Sequence, residues 1–232
     1  MTMTTLEIPV RASVRAAGLV DVPAVVRLIT RSSDGHSEQA QRAMRLVLAH
    51  HALEKGQVWV AEREDDGTLL AAAIWLPPGT GTDPPGPQLK SVLSRELSTG
   101  LAPGMSTRRS VAESESESAF CLPPHPFLSA VSASGGGSEL SAPYWTLVAV
   151  CAPDETEAWD RTVVDGLLAP GLRAVDAQDA TAVAVTMSAR HGDQLRHLGF
   201  RGPRQARVAP GASVWLTTRP RPAGPVWSRA AA

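Results

Sequence analysis

Cys151 follows the apolar run Tyr144-Trp145-Thr146-Leu147-Val148-Ala149-Val150, which has the length and composition of a buried strand. A thiolate at the end of such a strand is a nucleophile able to accept an acyl group. No histidine stands beside it in sequence to activate the thiol, and an unactivated buried cysteine is simply a small hydrophobe. His191 lies at the start of a short helix ending at Leu198-Gly199-Phe200. Its imidazole titrates near neutrality and could move a proton, although a histidine there is more commonly a surface or capping residue. His50 and His51 are adjacent on a longer helix, so one should face the core or a cleft and the other water. One of them could bind or deprotonate a substrate; the plainer role is a paired polar face. Cys121 and His125, four residues apart in a loop, are too few for a metal site, and no zinc spacing occurs elsewhere.

Several elements must position these groups. Val14 to Ala17 reads as a strand, and Asp21 before Val22-Pro23 starts a helix with Val25, Val26, Leu28 and Ile29 as its apolar stripe. Ser37 to Glu54 carries Ala40, Ala43, Met44, Val47 and Leu48 at three- and four-residue spacing, a second helix stopped near Gly56. Gln57 to Glu62 and Leu69 to Leu76 read as strands joined through Asp65-Asp66-Gly67, a hairpin signal. Regularity weakens over residues 77–143, where paired prolines, the Ser/Glu alternation of residues 113–118 and three glycines within residues 134–138 mark an insertion with mobile ends. That insertion is solvated linker in the simplest reading, or a lid over a cleft. After the strand at Tyr144, Leu167 to Ala177 reads as a helix, Thr181 to Ser188 as a strand, and Val208 with Val214 to Thr217 as a closing hairpin. Residues 220–232 are a tail. Trp59, Trp75, Trp145 and Trp215 fall on strands as core or cleft walls, Trp75 and Trp145 being those expected to border a ligand.

The whole fits one domain over residues 12–219. Of the 232 residues, 43% are hydrophobic and 19% charged, enough for a sizeable core and too little charge for a disordered chain. The net charge of -1 comes without basic blocks, which argues against nucleic acid as a partner. No window holds the roughly 18 apolar residues of a membrane span, and no signal segment opens the chain, so a protein of the reducing cytoplasm with no membrane partner is expected.

The order strand, two helices, hairpin, insertion, strand, helix, strand, helix, hairpin resembles the GNAT acetyltransferase superfamily. Val14-Arg15-Ala16-Ala17 with Asp21-Val22-Pro23, Val58-Trp59-Val60-Ala61, Pro143-Tyr144-Trp145-Thr146-Leu147, Leu168-Ala169-Pro170-Gly171-Leu172 and Leu198-Gly199-Phe200 resemble the actinobacterial branch that contains puromycin N-acetyltransferase. The resemblance covers about residues 12–76 and 143–219. It implies an α/β fold with a mixed, mostly antiparallel central sheet flanked by helices and splayed at the fourth and fifth strands. It also implies acyl transfer from acetyl-CoA or another acyl thioester to a small-molecule amine or alcohol, in secondary-metabolite tailoring or self-resistance. Cys151 would stand at the mouth of the splayed opening, and the helix of His50 and His51, with His36 and Glu38 before it, would form the acceptor side. Backbone groups of the fourth strand at Val148 and Val150, with Arg161 and Thr162 at the following helix, would hold the donor.

Two positions depart from the family's pattern. The glycines that let backbone N–H groups cradle the CoA diphosphate are replaced by Asp160, Thr162 and Val164, and Trp159 replaces the leading Gln. The tyrosine that protonates the departing thiolate is replaced by Leu195, and the preceding Asn by His191. A carboxylate at Asp160, with Asp154, Glu155 and Glu157 nearby, would repel a diphosphate, and Val164 would crowd it. Free acetyl-CoA is therefore not expected in the usual pose. A thioester on an acyl carrier protein would not need the diphosphate site. A different reaction on the same fold, such as cyclisation, dehydration or proton transfer, or a non-catalytic binding role, are the alternatives.

Overall fold

The computed structural model describes residues 11–31, 38–78, 144–151, 159–186, 188–209 and 212–221. The expected insertion, apart from Pro77 and Pro78, and most of the tail lie outside these residues. Seven strands form one sheet: β1 (Ala12–Ala16), β2 (Gln57–Arg63), β3 (Leu69–Leu76), β4 (Tyr144–Cys151), β5 (Thr181–Thr186), β6 (Arg201–Ala209) and β7 (Ala212–Arg219). Their spatial order is β1-β2-β3-β4-β5-β7-β6. Every pairing is antiparallel except β4 with β5. The expected α/β class and mixed, mostly antiparallel sheet are found.

The continuous apolar run of β3 reflects burial on both faces. Ala72, Ile74 and Leu76 pack in one layer with α1 (Val22–Arg31) and α2 (Glu38–Val47), through residues such as Val26, Ile29, Met44 and Val47. Ala71, Ala73 and Trp75 pack in the other with α3 (Arg161–Ala177), through Val164, Leu167, Leu168, Leu172 and Val175. The second layer is completed by Leu195 and Phe200, at either end of the turn that follows α4 (Ala189–Gln194).

α2 does not run as one regular helix to Glu54. It widens into a π turn at Leu48–Ala52, the stretch holding both histidines, before a last α turn at Leu53–Lys55. Gly56 then ends the helix where a side chain would strike the backbone, because an added Cβ would lie 2.4 Å from the Trp75 carbonyl oxygen.

α3 also begins earlier than its expected start at Leu167. Asp160 caps it, and Val163, Val164, Leu167 and Leu168 form the first part of its buried stripe. Six further helical residues, Arg161 to Gly166, thus precede the expected start. Gly171, midway along, admits the indole of Trp75: an added Cβ would lie 2.1 Å from Trp75 Cε2. Gly199, at φ +92°, ends the turn after α4 in the left-handed conformation that glycine adopts without strain.

The sheet opens where parallel pairing stops. The β4–β5 ladder runs from Tyr144 opposite Thr181 to Val148 opposite Val185. On its other side β4 stays paired with β3 as far as Cys151, opposite Ala71. Because β4 and β5 are parallel, their C-terminal ends, and the starts of the helices that follow them, share one edge of the sheet.

Candidate functional site

That edge is the place where an open α/β sheet offers a crevice to a ligand. The chain leaving β4 returns at Trp159-Asp160 to enter α3, and the chain leaving β5 enters α4 at Ser188. Ser188 accepts the His191 backbone N–H at 3.3 Å, and Thr186 donates its hydroxyl to the Ser188 carbonyl at 3.0 Å. This fixes the first turn of α4 and the direction of His191.

At the start of α3 the Asp160 carboxylate accepts the Thr162 N–H at 2.8 Å and the Thr162 hydroxyl as well. The hydroxyl, followed by the backbone N–H groups of Thr162 and Val163, holds the Asp160 carboxyl below its ordinary range. It is an anion at neutral pH, seated against the first-turn N–H groups of its own helix. Arg161 is exposed, its Nε 3.9 Å from Asp165, and Asp165 also pairs with His197. Cationic and anionic groups here largely answer one another.

The two helix starts meet through rings. Trp159 and His191 stack with centroids 3.9 Å apart and planes inclined by 19°. Both are 9% exposed. Beneath them Leu195 and Phe200 are fully buried. Two buried polar atoms of these segments, Trp159 Nε1 and Gln194 Oε1, have no hydrogen-bond partner among the described residues. Each such group costs about 1–3 kcal/mol when left unmatched.

The fit of a CoA diphosphate can be judged from these contacts. It needs open N–H groups at the helix start and a path free of side chains. Asp160 already supplies an anion to those N–H groups, Thr162 adds a side chain, and the Trp159–His191 stack joins the two helix starts that border the opening. The described residues at this helix start do not fit the group. Val164 is not part of the obstruction: it is 4% exposed and belongs to the core beneath α3, a correction to the crowding expected of it. Asp154, Glu155 and Glu157 lie outside the described residues.

Of the residues singled out in the sequence, His191, Arg161 and Thr162 belong to the two helix starts at this edge. Cys151 and Val150 hold the last two register positions of β4, opposite Ala71 and Ala72. Val148 is buried towards α1 and α2. His51 is buried and His50 exposed, its Nδ1 3.5 Å from Glu54, as expected of adjacent helical residues. Their π turn belongs to the layer on the opposite face of the sheet from His191. Glu38 is exposed at the start of α2 and pairs with Arg42. His36 lies outside the described residues, as do Cys121 and His125. Trp75 is fully buried against Gly171 and offers a ligand no surface. Trp145 is 3% exposed and donates its indole N–H to Gln178 at 3.0 Å, at the far end of α3 from the opening. Sequence reasoning assigned no role to Trp159 beyond replacing a Gln, and passed over Gln194. The spacing of His191 and Gln194, three apart on one helix, was the available signal.

Among the described residues no group of three His, Cys, Asp or Glu side chains could hold a metal ion. No described helix is long and apolar enough to cross a membrane.

No protein-family model and no curated protein matches the chain. Solved structures do. The histone acetyltransferase HPA2 and related acetyltransferase from Corynebacterium glutamicum matches with a TM-score of 0.54 at 16% identity, over 93% of this chain and 99% of that one. The structure of yncA from Salmonella typhimurium, solved with its cofactor acetyl-CoA, matches with 0.47 at 11% identity, over 92% and 96%. An acetyltransferase of the GNAT family from Streptococcus pneumoniae matches with 0.45 at 11% identity, over 90% and 98%. The first of these likenesses shows the fold, and the seven-stranded sheet with helices on both faces is the GNAT fold.

Proposed function

We propose that this protein is a GNAT-fold acyltransferase acting on a small-molecule amine or alcohol in secondary-metabolite tailoring or self-resistance, related to the branch that contains puromycin N-acetyltransferase. Its donor is a thioester held without a diphosphate grip, such as an acyl group on an acyl carrier protein. The observation that carries this reading is the Asp160 carboxylate, ionised and bonded to the N–H groups that would otherwise meet a phosphate. In this reading His191, held at the opening by Ser188 and Trp159, takes the acceptor's proton as its nitrogen or oxygen attacks the thioester carbon; the C–S bond then breaks and the departing thiolate takes that proton back from the imidazolium. Calorimetric titrations with acetyl-CoA and with an acylated carrier protein test it. No saturation by acetyl-CoA in the micromolar range, with binding of the acylated carrier protein, is expected; micromolar acetyl-CoA binding sinks the donor assignment.

A second reading is a different step on the same fold, such as cyclisation, dehydration or proton transfer. It is favoured by Leu195, which stands fully buried where the resemblance expects a proton-donating tyrosine. Binding of neither donor would turn the balance towards it. Unchanged turnover after separate substitution of Cys151, His191, His50 and His51 by alanine would remove those residues from either reading.

A further inference from the structure

Charge is unevenly spread along this chain. Residues 194–232 hold seven arginines and no Asp, Glu or Lys, within a chain of net charge -1. Three of those arginines are turned back onto the body of the protein: Arg196 pairs with Asp193, Arg219 with Asp176 and Arg221 with Asp179. Arg201 and Arg204 stand exposed on β6, the last strand of the sheet. They lie opposite Thr218 and Leu216 of β7, two positions apart, which puts both on one face of the hairpin. Arg190, also exposed, is in the first turn of α4. That helix lies over β6, where a Cβ added at Gly192 would be 3.8 Å from the Pro203 Cβ. Neither Arg190 nor Arg201 has an ion-pair partner among the described residues.

This basic edge is within reach of the opening. Arg204, Leu216 and Val185 fall in one row across β6, β7 and β5, and Val185 faces Val148 at the end of the β4–β5 ladder. At about 4.8 Å per strand, the backbone at Arg204 is roughly 10 Å from β5. An extended pantetheine arm is longer than that. We propose that Arg190, Arg201 and Arg204 form the docking strip for the acyl carrier protein that brings the donor, met by carboxylates on the carrier's surface. The planar guanidinium groups suit paired bonds to carboxylates. The proposal rests on the acyl-transfer reading and adds to it the place where the partner sits. A second copy of this chain does not suit the strip, since antiparallel pairing of β6 with itself would set arginines against arginines.

Calorimetry on the full chain, with an acetyl-loaded acyl carrier protein as the probe, tests the docking. Wild-type binding should weaken as salt is added. Arg190→Glu combined with Arg201→Glu and Arg204→Glu should weaken it about tenfold or more, because three exposed attractions become repulsions. Arg190→Lys with Arg201→Lys and Arg204→Lys keeps the charge and should stay within about threefold of wild type. Arg173→Glu, on the exposed side of α3, should leave binding unaltered. The three single Glu variants, each with a smaller loss, carry the test if the triple one does not fold. Equal carrier binding by wild type and the Glu variants overturns the proposal and leaves the acyl-transfer reading standing. An equal loss in Arg173→Glu overturns it as well, because net charge alone would then set the affinity. So does a DNA duplex bound as tightly as the carrier, since the strip would then be answering phosphate. Failure of wild type to bind the carrier at all overturns both the docking strip and the reading it rests on.

Discussion

Trp75 and Trp159 each bury an indole N–H without a hydrogen-bond partner among the described residues, in regions built on opposite plans. Trp75 lies in the middle of the sheet, fully buried, its ring filling the space that a side chain at Gly171 would need. Its unmatched N–H is the cost of close packing between a strand and a helix backbone, and no ligand could enter without unpacking the layer. Trp159 lies where β4 and β5 part, at the margin of the same core, stacked against a histidine. Burial is similar in the two places; the neighbours differ. One orphan donor lies inside a strand–helix contact, the other where two helix starts meet through stacked rings.

Four substitutions can break or sharpen that contrast. Trp75→Ala should be the most damaging, lowering unfolding free energy by about 3–5 kcal/mol in denaturant titrations, because a large cavity opens between sheet and helix. Gly171→Ala should cost about 1–3 kcal/mol through overpacking against the same ring. Asp160→Ala should cost about 1 kcal/mol as a lost helix cap. The Asp160 pKa is lowered in the folded state, so its contribution is present above the unfolded value near 4 and fades as pH falls through the folded value. Denaturation curves of wild type and the Ala variant should therefore begin to approach one another near pH 4 and meet only below the folded value. Trp159→Phe should be the mildest, within about 0.5 kcal/mol, since the stacked ring stays and an unmatched donor is removed. A Trp159→Phe loss as large as that of Trp75→Ala would erase the distinction drawn between the two regions.

Strands and their order were legible because period and length agree there: β3 occupies Leu69–Leu76 as its apolar run indicates, and the Asp66-Gly67 turn joins it to β2. The start of α3 was not legible, because the family pattern drew attention to missing glycines. The Asp160 cap and the buried positions at Val163, Val164 and Leu167 carried the local signal instead. The regular spacing of α2 gave no sign of a π turn at His50 and His51, since widening a helix by one residue leaves its apolar stripe nearly intact. The Trp159–His191 stack joins residues on two different helical segments, and a contact of that kind leaves no periodic trace. Trp75 and Trp145 were expected to border a ligand as strand tryptophans walling the core or cleft; their positions along the strands place them deep in the layer or at the far end of α3.

The central claim is that the start of α3 gives a diphosphate no hold. Comparing acetyl-CoA with S-acetyl-pantetheine by calorimetry, in wild type and in Asp160→Gly, tests it most directly, since the two donors differ by the nucleotide and its phosphates. The account predicts that wild type binds acetyl-CoA no more tightly than S-acetyl-pantetheine, and that Asp160→Gly favours acetyl-CoA alone. A wild-type preference for acetyl-CoA of more than tenfold would contradict it.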